Sequence, residues 1–453
     1  MTDTTRSDDT GFIGRPLPQW YDDAKFGIFI HWGPYAVPCF APVDDDMGEL
    51  FAAGDWAAVF RSSPYTEWYL NSWSLPGSAT EAHHAEVYGP EVTYADFVAE
   101  FRDRSAGVDV AHWAPLFSAA GARYVVPVTK HHDGFLMWRS GIANPHRDGW
   151  MAERDHVGEL AAAVRAEGLR FGTYYSGGLD WTFTPPPIDS FASMIANVPK
   201  DPGYAEYAIA HVHELVERFA PDVLWNDIAW PFQLDPNDIF RHYYDRVPEG
   251  VVNDRFNLMA VRSGTLHADF STPEYSTTPH GTGKWEVCRG IGRSFGYNRN
   301  ETEATMPSVD ELVWMVTDIV GRGGNLLLNV GPSADGQIPL GQAARLTGLG
   351  WWLRVNGDAI YGTRPHAEPT GVTSDGRQVR ITVRDGATYL LVEGAPAGTV
   401  RFPGRAGLAS VGAEVRMLGN DRVLPHTVQG DELLIELPDH LPPAPVTVFA
   451  VTG

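Results

Sequence analysis

The stretch that decides the fold is YVVPVTKHHDGF, residues Tyr124–Phe135. It begins as a run of apolar and β-branched residues, which is typical of a strand buried on both faces, as in a parallel sheet. The run then ends abruptly in Lys130, His131, His132 and Asp133. Two explanations compete for this ending. One is a metal site, and the other is a cluster that binds a polar ligand.

The same pattern recurs between Lys25 and Pro332. Each short apolar run ends in polar or aromatic residues, and a stretch with helical periodicity follows it. The other runs are KFGIFIHWG from Lys25, LRFGTYYSGG from Leu169, PDVLWNDIAW from Pro221, VVNDRF from Val251, ADFSTPEYS from Ala268 and GGNLLLNVGP from Gly323. This alternation indicates an α/β fold, and its length favours a (β/α)8-like barrel with insertions. The runs do not resolve into eight clean units, and residues 36–89 read as a long excursion after the first strand.

Helices are predicted between the runs. Asp155 is placed to cap one of them, which should end at Gly168. Ser308 and Glu311 have the spacing of a capping box at the start of another. The predicted helical stretches are VDVAHWAPLFSAAG from Val108, DHVGELAAAVRAEG from Asp155, PGYAEYAIAHVHELVERF from Pro202 and SVDELVWMVTDIVGRGG from Ser308.

The sequence changes character after Gly362. VRITVRDGATYLLVEG has two alternating runs around Asp385-Gly386, which predicts a β-hairpin. Further short strands are predicted in GTVRFPG, AEVRMLG, DELLIELPD and APVTVFAVTG. We therefore expect a catalytic barrel domain over residues 1–360 and an all-β sandwich domain over residues 361–453.

Composition excludes several kinds of partner. The formal net charge of −23 argues against nucleic acid and against anionic membrane surfaces, which both need a cationic protein face. No apolar run approaches the roughly 20 residues of a membrane helix. The N-terminal MTDTTRSDDTGFIG has no apolar core of a secretory signal, and Cys39 and Cys288 are far apart in sequence. We expect a cytoplasmic protein, and the sequence leaves a homo-oligomer open.

Polar and aromatic side chains gather where the predicted strands end. In a (β/α)8 barrel the functional site lies at the C-terminal ends of the strands. Because buried polar groups need partners, so many polar residues at one end indicate a site rather than a core. Besides the four residues named above, this set comprises His31, Tyr174, Tyr175, Trp225, Asp227, Arg255 and Glu274.

A metal site is the weaker explanation for the two histidines. In an extended chain, the adjacent His131 and His132 would point to opposite sides. The sequence contains neither Cys-x-x-Cys nor His-Glu-x-x-His, and its second adjacent pair, His83 and His84, falls in a predicted loop. Neutral imidazoles that bind hydroxyl groups fit better, since each offers one donor and one acceptor. No cofactor is predicted, and a metallohydrolase stays an alternative.

Two carboxylates suggest the chemistry. Asp227 follows an apolar run between Trp225 and Trp230, and Glu274 ends another strand-like run. A pair of carboxylates at neighbouring strand ends matches the requirement of glycoside hydrolysis for a nucleophile and an acid/base. The competing interpretations are a helix-capping or turn aspartate and a surface glutamate.

The ordered motifs resemble those of glycoside hydrolase family 29, the retaining α-L-fucosidases. The motifs are WYDDAKFGIFIHWGPYAVP, TEWY, KHHDGF, YYSGGLDW, LWNDIAWP, VNDR, PEYS, SFGYN and NLLLNVGP, which run from Trp20 to Pro332. The resemblance implies a barrel followed by a β-sandwich. It also implies an exo-acting enzyme that hydrolyses terminal α-L-fucosyl residues of glycans or glycosides by double displacement. A related α-L-galactosidase and an inactive fucose-binding protein stay open as alternatives.

The resemblance also assigns roles to residues. Asp227 is expected to be the nucleophile and Glu274 the acid/base, while Trp225 and Trp285 form an apolar wall for the C5 methyl group. An insertion between Arg255 and Glu274 is longer than expected. The residues expected to bind fucose are His31, Glu67, Trp68, His131, His132, Tyr174, Trp225 and Arg255.

The assignment leaves other residues open. Because of the insertion, Glu286, Asp269 and Glu67 remain alternative acid/bases. Lys130 and Asp133 are as consistent with structural support of the histidines as with a direct role. The outer loops, residues 38–61 and 183–199, carry no readable specificity signal.

Overall fold

The computed structural model describes residues 11–278, 283–409, 412–420 and 422–453. Its largest sheet has seven strands, all parallel, in the order β5-β4-β3-β2-β1-β7-β6. The bounds are β1 Phe26–Ile30, β2 Tyr124–Lys130, β3 Arg170–Ser176, β4 Val223–Asp227, β5 Val251–Val252, β6 Glu286–Gly290 and β7 Asn325–Val330.

A short extended segment, residues 270–274, closes this sheet into a barrel. It forms parallel bridges with Asn253 after β5 and with Trp285 and Cys288 at β6. Glu286 donates its backbone N–H to the Ser271 carbonyl at 2.8 Å. The segment takes the eighth strand position of a (β/α)8-like barrel, so the predicted fold class is confirmed.

Helices pack around the barrel and fill the insertions. The predicted cap of helix α8, His156–Ala166, is present, because the Asp155 side chain accepts the Gly158 N–H at 3.0 Å. Ser308 and Glu311 form the predicted capping box of helix α13, Val309–Gly321. The helix predicted from Val108 is instead a 3-10 turn, Val110–His112, followed by helix α7, Trp113–Ala119.

The α-helices have the following bounds: α1 Gln19–Ala24, α2 Met47–Ala53, α3 Trp56–Arg61, α4 Tyr69–Trp73, α5 Ala79–Val87, α6 Tyr94–Ser105, α7 Trp113–Ala119, α8 His156–Ala166, α9 Phe191–Ala196, α10 Pro202–Phe219, α11 Pro236–Arg246, α12 Leu258–Arg262, α13 Val309–Gly321 and α14 Leu340–Asn356. Within the described residues, the helices lack the combination of length and apolar character needed to cross a membrane.

Two apolar layers share the barrel strands. Side chains of a strand alternate between its faces, so neighbours separate into different layers. On β4, Val223 and Trp225 belong to the cluster inside the barrel, whereas Leu224 belongs to the cluster between the sheet and the helices. This alternation decides which side chains reach the cavity at the barrel's C-terminal end.

The remaining strands are antiparallel and form sheets of five and three strands over a shared core. The predicted hairpin is confirmed, with Ala387 paired to Arg384 and positive φ at Asp385 and Gly386. The division at residues 360 and 361 remains a prediction. The strands are β8 Arg364–Val372, β9 Gln378–Arg384, β10 Ala387–Glu393, β11 Thr399–Phe402, β12 Glu414–Met417, β13 His426–Gln429, β14 Glu432–Glu436 and β15 Val446–Thr452.

Candidate active site

A cavity of about 230 Å³ opens at the C-terminal ends of the barrel strands. Asp227 is the last residue of β4, and His31 directly follows β1. Most of the residues predicted for the site line this cavity. They are His31, Glu67, Trp68, His131, His132, Tyr174, Trp225, Asp227, Arg255 and Glu274.

One guanidinium joins the two candidate catalytic carboxylates. Arg255 donates from Nη1 to Asp227 Oδ1 at 2.8 Å and from Nη2 to Glu274 Oε2 at 3.0 Å. Arg255 is itself fixed, because its Nε donates to the Thr272 hydroxyl at 2.9 Å and its guanidinium stacks 4.7 Å above the Trp225 ring. The two carboxylates are 47 residues apart in the sequence, but they lie close together and face one cavity.

Asp227 is held as an anion. Tyr174 donates its hydroxyl to Oδ2 at 2.7 Å, and the Ile228 backbone N–H donates to Oδ1 at 2.8 Å. Burial raises the pKa of Asp227, but Arg255 and the Tyr174 hydrogen bond outweigh it and hold that pKa below its usual value. An ionised carboxylate at a barrel strand end is the state that a nucleophile needs.

Glu274 has a different set of partners. It accepts the Tyr65 hydroxyl on Oε1 at 2.6 Å and Arg255 on Oε2. Its side chain is 18% exposed, against 10% for the side chain of Asp227. Glu274 is thus the more accessible of the two carboxylates, as expected for the group that exchanges protons with a leaving group and water.

Both carboxylates precede a residue in the left-handed region. Ile228 has φ 65° and Tyr275 has φ 51°. This conformation is unfavourable for residues with a Cβ, above all for a β-branched one, and such strain is found mainly at functional sites. At Ile228 the turn aims the backbone N–H at the Asp227 carboxylate.

His31 and His132 present acceptors to the cavity. His31 Nδ1 lies 2.7 Å from Asn329 Oδ1, and His132 Nδ1 lies 2.7 Å from Ser176 Oγ. Ser176 uses its own hydrogen on the Leu179 carbonyl, so it accepts from Nδ1, and the Asn329 amide oxygen also only accepts. Nε2 is then the acceptor in both neutral rings. Burial lowers the pKa of His31 to about 4 and that of His132 well below its usual value.

The expectation that His131 and His132 point to opposite sides is wrong. Strand β2 ends at Lys130, so both histidines lie in the turn after it and line the same cavity. Their ring centroids are 4.0 Å apart. His131 also stacks on Tyr174, with centroids 5.6 Å apart and planes at 7°.

Glu67 is a third carboxyl group in the cavity. It accepts the Gly296 backbone N–H at 2.9 Å and is 2% exposed. Burial raises the pKa of Glu67 to about 8. A protonated carboxyl at this position is able to donate a hydrogen bond to a ligand hydroxyl at neutral pH.

Lys130 and Asp133 support the site from outside. Lys130 Nζ pairs with Asp180 at 3.0 Å, and Asp133 accepts the Tyr94 hydroxyl at 2.8 Å. Neither lines the cavity. Over residues 11–278, 283–409, 412–420 and 422–453, no group of three or more His, Cys, Asp or Glu side chains is arranged to hold a metal ion.

Comparison with known proteins identifies the family. A family model described as alpha-L-fucosidase matches residues 4–358. The tissue α-L-fucosidase of Bos taurus is 33% identical over 457 residues, which cover 97% of this chain and 88% of that protein. The Homo sapiens tissue α-L-fucosidase is 33% identical over 369 residues, covering 78% of this chain and 70% of that protein. The chain belongs to the α-L-fucosidase family.

Solved structures agree with this family. An α-fucosidase of Thermotoga maritima in complex with a mechanism-based inhibitor matches with a TM-score of 0.85 at 40% identity, covering 96% of this chain and 97% of that one. The Thermotoga maritima α-fucosidase in complex with fucose matches with a TM-score of 0.84 at 41% identity, with the same coverage. The resemblance to retaining α-L-fucosidases of glycoside hydrolase family 29 is confirmed, and this chain is an α-L-fucosidase of that family.

Of the residues of this α-L-fucosidase that were expected to contact the sugar, Trp285 lies elsewhere, and Tyr175 from the wider strand-end set also lies outside the cavity. The Trp285 side chain is 3% exposed and belongs to the apolar layer between the sheet and the helices. A Cβ atom at Gly324 would lie 2.7 Å from its ring. Trp285 precedes Glu286, which points into the barrel, so alternation turns Trp285 outwards. Of the two side chains expected to form the apolar wall, Trp225 lines the cavity and Trp285 does not, and the contact of Trp225 with the methyl group stays a prediction.

Two of the alternative acid/bases also lie outside the cavity. Glu286 is buried in the barrel interior, where it accepts the Tyr21 hydroxyl at 2.7 Å, the Tyr124 hydroxyl, and the Trp225 indole N–H at 3.2 Å. Asp269 is occupied by Arg15, Tyr244 and the Val252 backbone N–H. Of the fallback carboxyls, only Glu67 lines the cavity.

Several residues of the site were missed in the sequence. Tyr65 contacts Glu274, and Cys288 and Phe295 line the cavity. Asn329 and Ser176 orient the histidines from the ends of β7 and β3. Asn329 and Ser176 could have been predicted from the sequence, because each is a polar residue at the end of an apolar strand. Tyr65 had none beyond its place before the TEW motif.

Proposed function

We propose that the protein removes terminal α-L-fucosyl residues by double displacement, with Asp227 as nucleophile and Glu274 as acid/base. The observation that carries this assignment is the single Arg255 guanidinium that binds both carboxylates at one cavity. Retaining glycosidases hold their two carboxyl groups about 5–5.5 Å apart. Asp227 and Glu274 bind the two Nη atoms of one guanidinium, at 2.8 and 3.0 Å, and this supports the close spacing that a retaining enzyme needs.

The first step forms a covalent bond between Asp227 and the anomeric carbon. The Asp227 Oδ atom attacks C1, the bond from C1 to the leaving oxygen breaks, and Glu274 gives its proton to that oxygen. In the second step, Glu274 takes a proton from water, which attacks C1 and releases Asp227. Two inversions at C1 give net retention.

The rest of the cavity binds the sugar ring. His31 and His132 accept hydrogen bonds from sugar hydroxyls through Nε2, and protonated Glu67 donates one. Trp225 and Phe295 supply the apolar surface for the C5 methyl group. Burying one methyl contributes roughly 1 kcal/mol, so we expect only a modest preference, on the order of fivefold, over the corresponding L-galactoside.

The products of an aryl α-L-fucoside test this function. Proton NMR during turnover should show α-L-fucose forming first, and Asp227→Gly should almost abolish turnover. Release of β-L-fucose as the first product would contradict double displacement. Near-normal activity of Asp227→Gly would remove it as nucleophile.

The wider setting is also part of the proposal. The substrates are fucosylated oligosaccharides or glycosides, in keeping with the fucose complex of the Thermotoga maritima relative. The net charge of −23 favours neither nucleic acid nor an anionic membrane as a partner. A cytoplasmic location remains a prediction, and residues 1–10, on which it rests in part, lie outside the described residues.

A further inference from the structure

One side of the cavity is built almost entirely from apolar side chains. They come from the excursion after β1 and from α9, which are the two outer loops that carried no readable specificity signal. We call this surface the apolar roof. It consists of Met47 and Phe51 on α2, Trp56, Val59 and Phe60 on α3, and Met194 on α9.

Local sequence fixes the shape of the roof. Asp46 caps α2 by accepting the Gly48 backbone N–H at 2.9 Å, and Asp55 caps α3 by accepting the Ala58 N–H at 3.1 Å. Between the helices, Gly54 has φ 68°, which a glycine adopts without steric cost. The two short helices therefore form a tight hairpin that presents one apolar face to the cavity.

Aromatic rings mark the edge of the roof. Trp56 is 41% exposed and Phe191 is 49% exposed, and their ring centroids lie 5.4 Å apart. Trp56 also contacts Phe51, at 5.9 Å. Large aromatic side chains left this exposed at the mouth of a cavity are not explained by core packing.

The roof continues into the wall that binds the sugar. Phe60 contacts Trp68 with ring centroids 5.8 Å apart, and Trp68 in turn contacts His132 at 5.0 Å. The roof and the two carboxylates line one cavity, and a Cβ atom at Gly48 on α2 would lie 3.4 Å from Tyr275, the residue after the proposed acid/base. A leaving group, or aglycone, protonated by that acid/base would therefore have the roof beside it.

The chemistry of the roof discriminates between aglycones. Its described side chains carry no charge, and the hydroxyls beside it among the cavity-lining residues are those of Ser63 and of Tyr65, which already donates to Glu274 at 2.6 Å. A sugar aglycone has several hydroxyls, and leaving them buried without partners is unfavourable. A flat apolar aglycone loses nothing by desolvation and gains contact with the aromatic rings.

We propose that the apolar roof is the leaving-group subsite and that it selects apolar, preferentially aromatic, aglycones over sugar aglycones. The inference rests on the proposed fucosidase function and adds the class of leaving group. Trp56 is then a specificity-determining residue, because its ring is the largest and most exposed on the roof.

The variant Trp56→Ala tests the proposal with three substrates. These are 4-nitrophenyl α-L-fucoside, α-L-fucosyl fluoride, whose leaving group is too small to reach the roof, and an α-L-fucosyl galactose disaccharide. We expect kcat/KM for the aryl fucoside to fall about five- to tenfold, the range of one lost aromatic contact, while the other two change by less than about twofold. Trp56→Phe, which keeps an aromatic ring, should retain most of the aryl activity.

Trp351→Ala is the matched control, since Trp351 is 64% exposed on α14 and does not line the cavity. It should leave all three substrates unchanged. Equal losses of Trp56→Ala on fluoride and aryl fucoside would show a structural role and overturn the inference. An equal loss on the disaccharide, or no loss on the aryl fucoside, would overturn it as well. If the wild-type protein does not hydrolyse the fluoride at all, the proposed function itself fails.

Discussion

Replacing Tyr174 by Phe tests whether Asp227 acts as the anionic nucleophile. The Tyr174 hydroxyl donates to Asp227 Oδ2 at 2.7 Å and helps to hold the pKa of that carboxyl below its usual value. Removing the hydroxyl stabilises the carboxylate less and leaves the protonated form nearly unaffected. The pKa of Asp227 must therefore rise, and the acid limb of kcat/KM must move to higher pH.

The size of the shift follows from the hydrogen bond. A hydrogen bond to a charged group contributes about 1.5–3 kcal/mol. The lost bond alone would destabilise the ionised form of Asp227 by about this amount, so the pKa of Asp227 rises and the acid limb moves to higher pH. Arg255 and the Ile228 backbone N–H remain as donors, so we expect the lower end of this range.

The assay is the pH dependence of kcat/KM for an aryl α-L-fucoside. Tyr175→Phe is the matched control, because Tyr175 lies on the same strand but hydrogen-bonds His211 at 3.2 Å and does not line the cavity. Its acid limb should coincide with that of the wild-type protein. An unshifted acid limb in Tyr174→Phe, or equal shifts in both variants, would refute the reasoning.

Three further experiments separate the site residues from their neighbours. Glu274→Ala should lose most activity toward an activated fucoside and regain turnover with added azide, giving α-L-fucosyl azide. Glu286→Gln is the control and should show no rescue by azide. The reverse pattern would transfer the acid/base role to Glu286. Trp285→Ala should lower the free energy of unfolding by about 3–5 kcal/mol in chemical denaturation, while KM stays within about twofold of the wild-type value. A raised KM at unchanged stability would instead show that Trp285 contacts the substrate. Treatment with EDTA should leave kcat/KM unchanged, and a loss that added divalent metal restores would support a metallohydrolase.

The fold was predictable as far as its strands are apolar. The six-residue pattern YVVPVT predicts strand β2, because both faces of the strand are buried and its residues are therefore mostly apolar. Strand β6 was missed, because Glu286 and Arg289 interrupt its apolar pattern. Its buried glutamate is satisfied by Tyr21 and Tyr124, and contacts between residues so far apart in the chain leave no local signal.

The sequence predicted which residue types form the site better than it predicted the directions in which their side chains point. Asp227 and Glu274 stand at strand ends where barrel enzymes place their functional groups, and both reach the cavity. Trp285 lies outside the cavity because it precedes Glu286, which points into the barrel, and the sequence had not revealed strand β6. His131 and His132 share a cavity because the strand ends one residue before them, and strand ends are the least predictable part of an element.

The most direct test of the central claim is to trap the covalent intermediate. The protein is incubated with 2-deoxy-2-fluoro-α-L-fucosyl fluoride, digested, and its peptides are sequenced by tandem mass spectrometry. The account predicts one fluorofucosyl group per chain, attached to the side chain of Asp227. A label on any other carboxyl, Glu67 and Glu274 included, would contradict it.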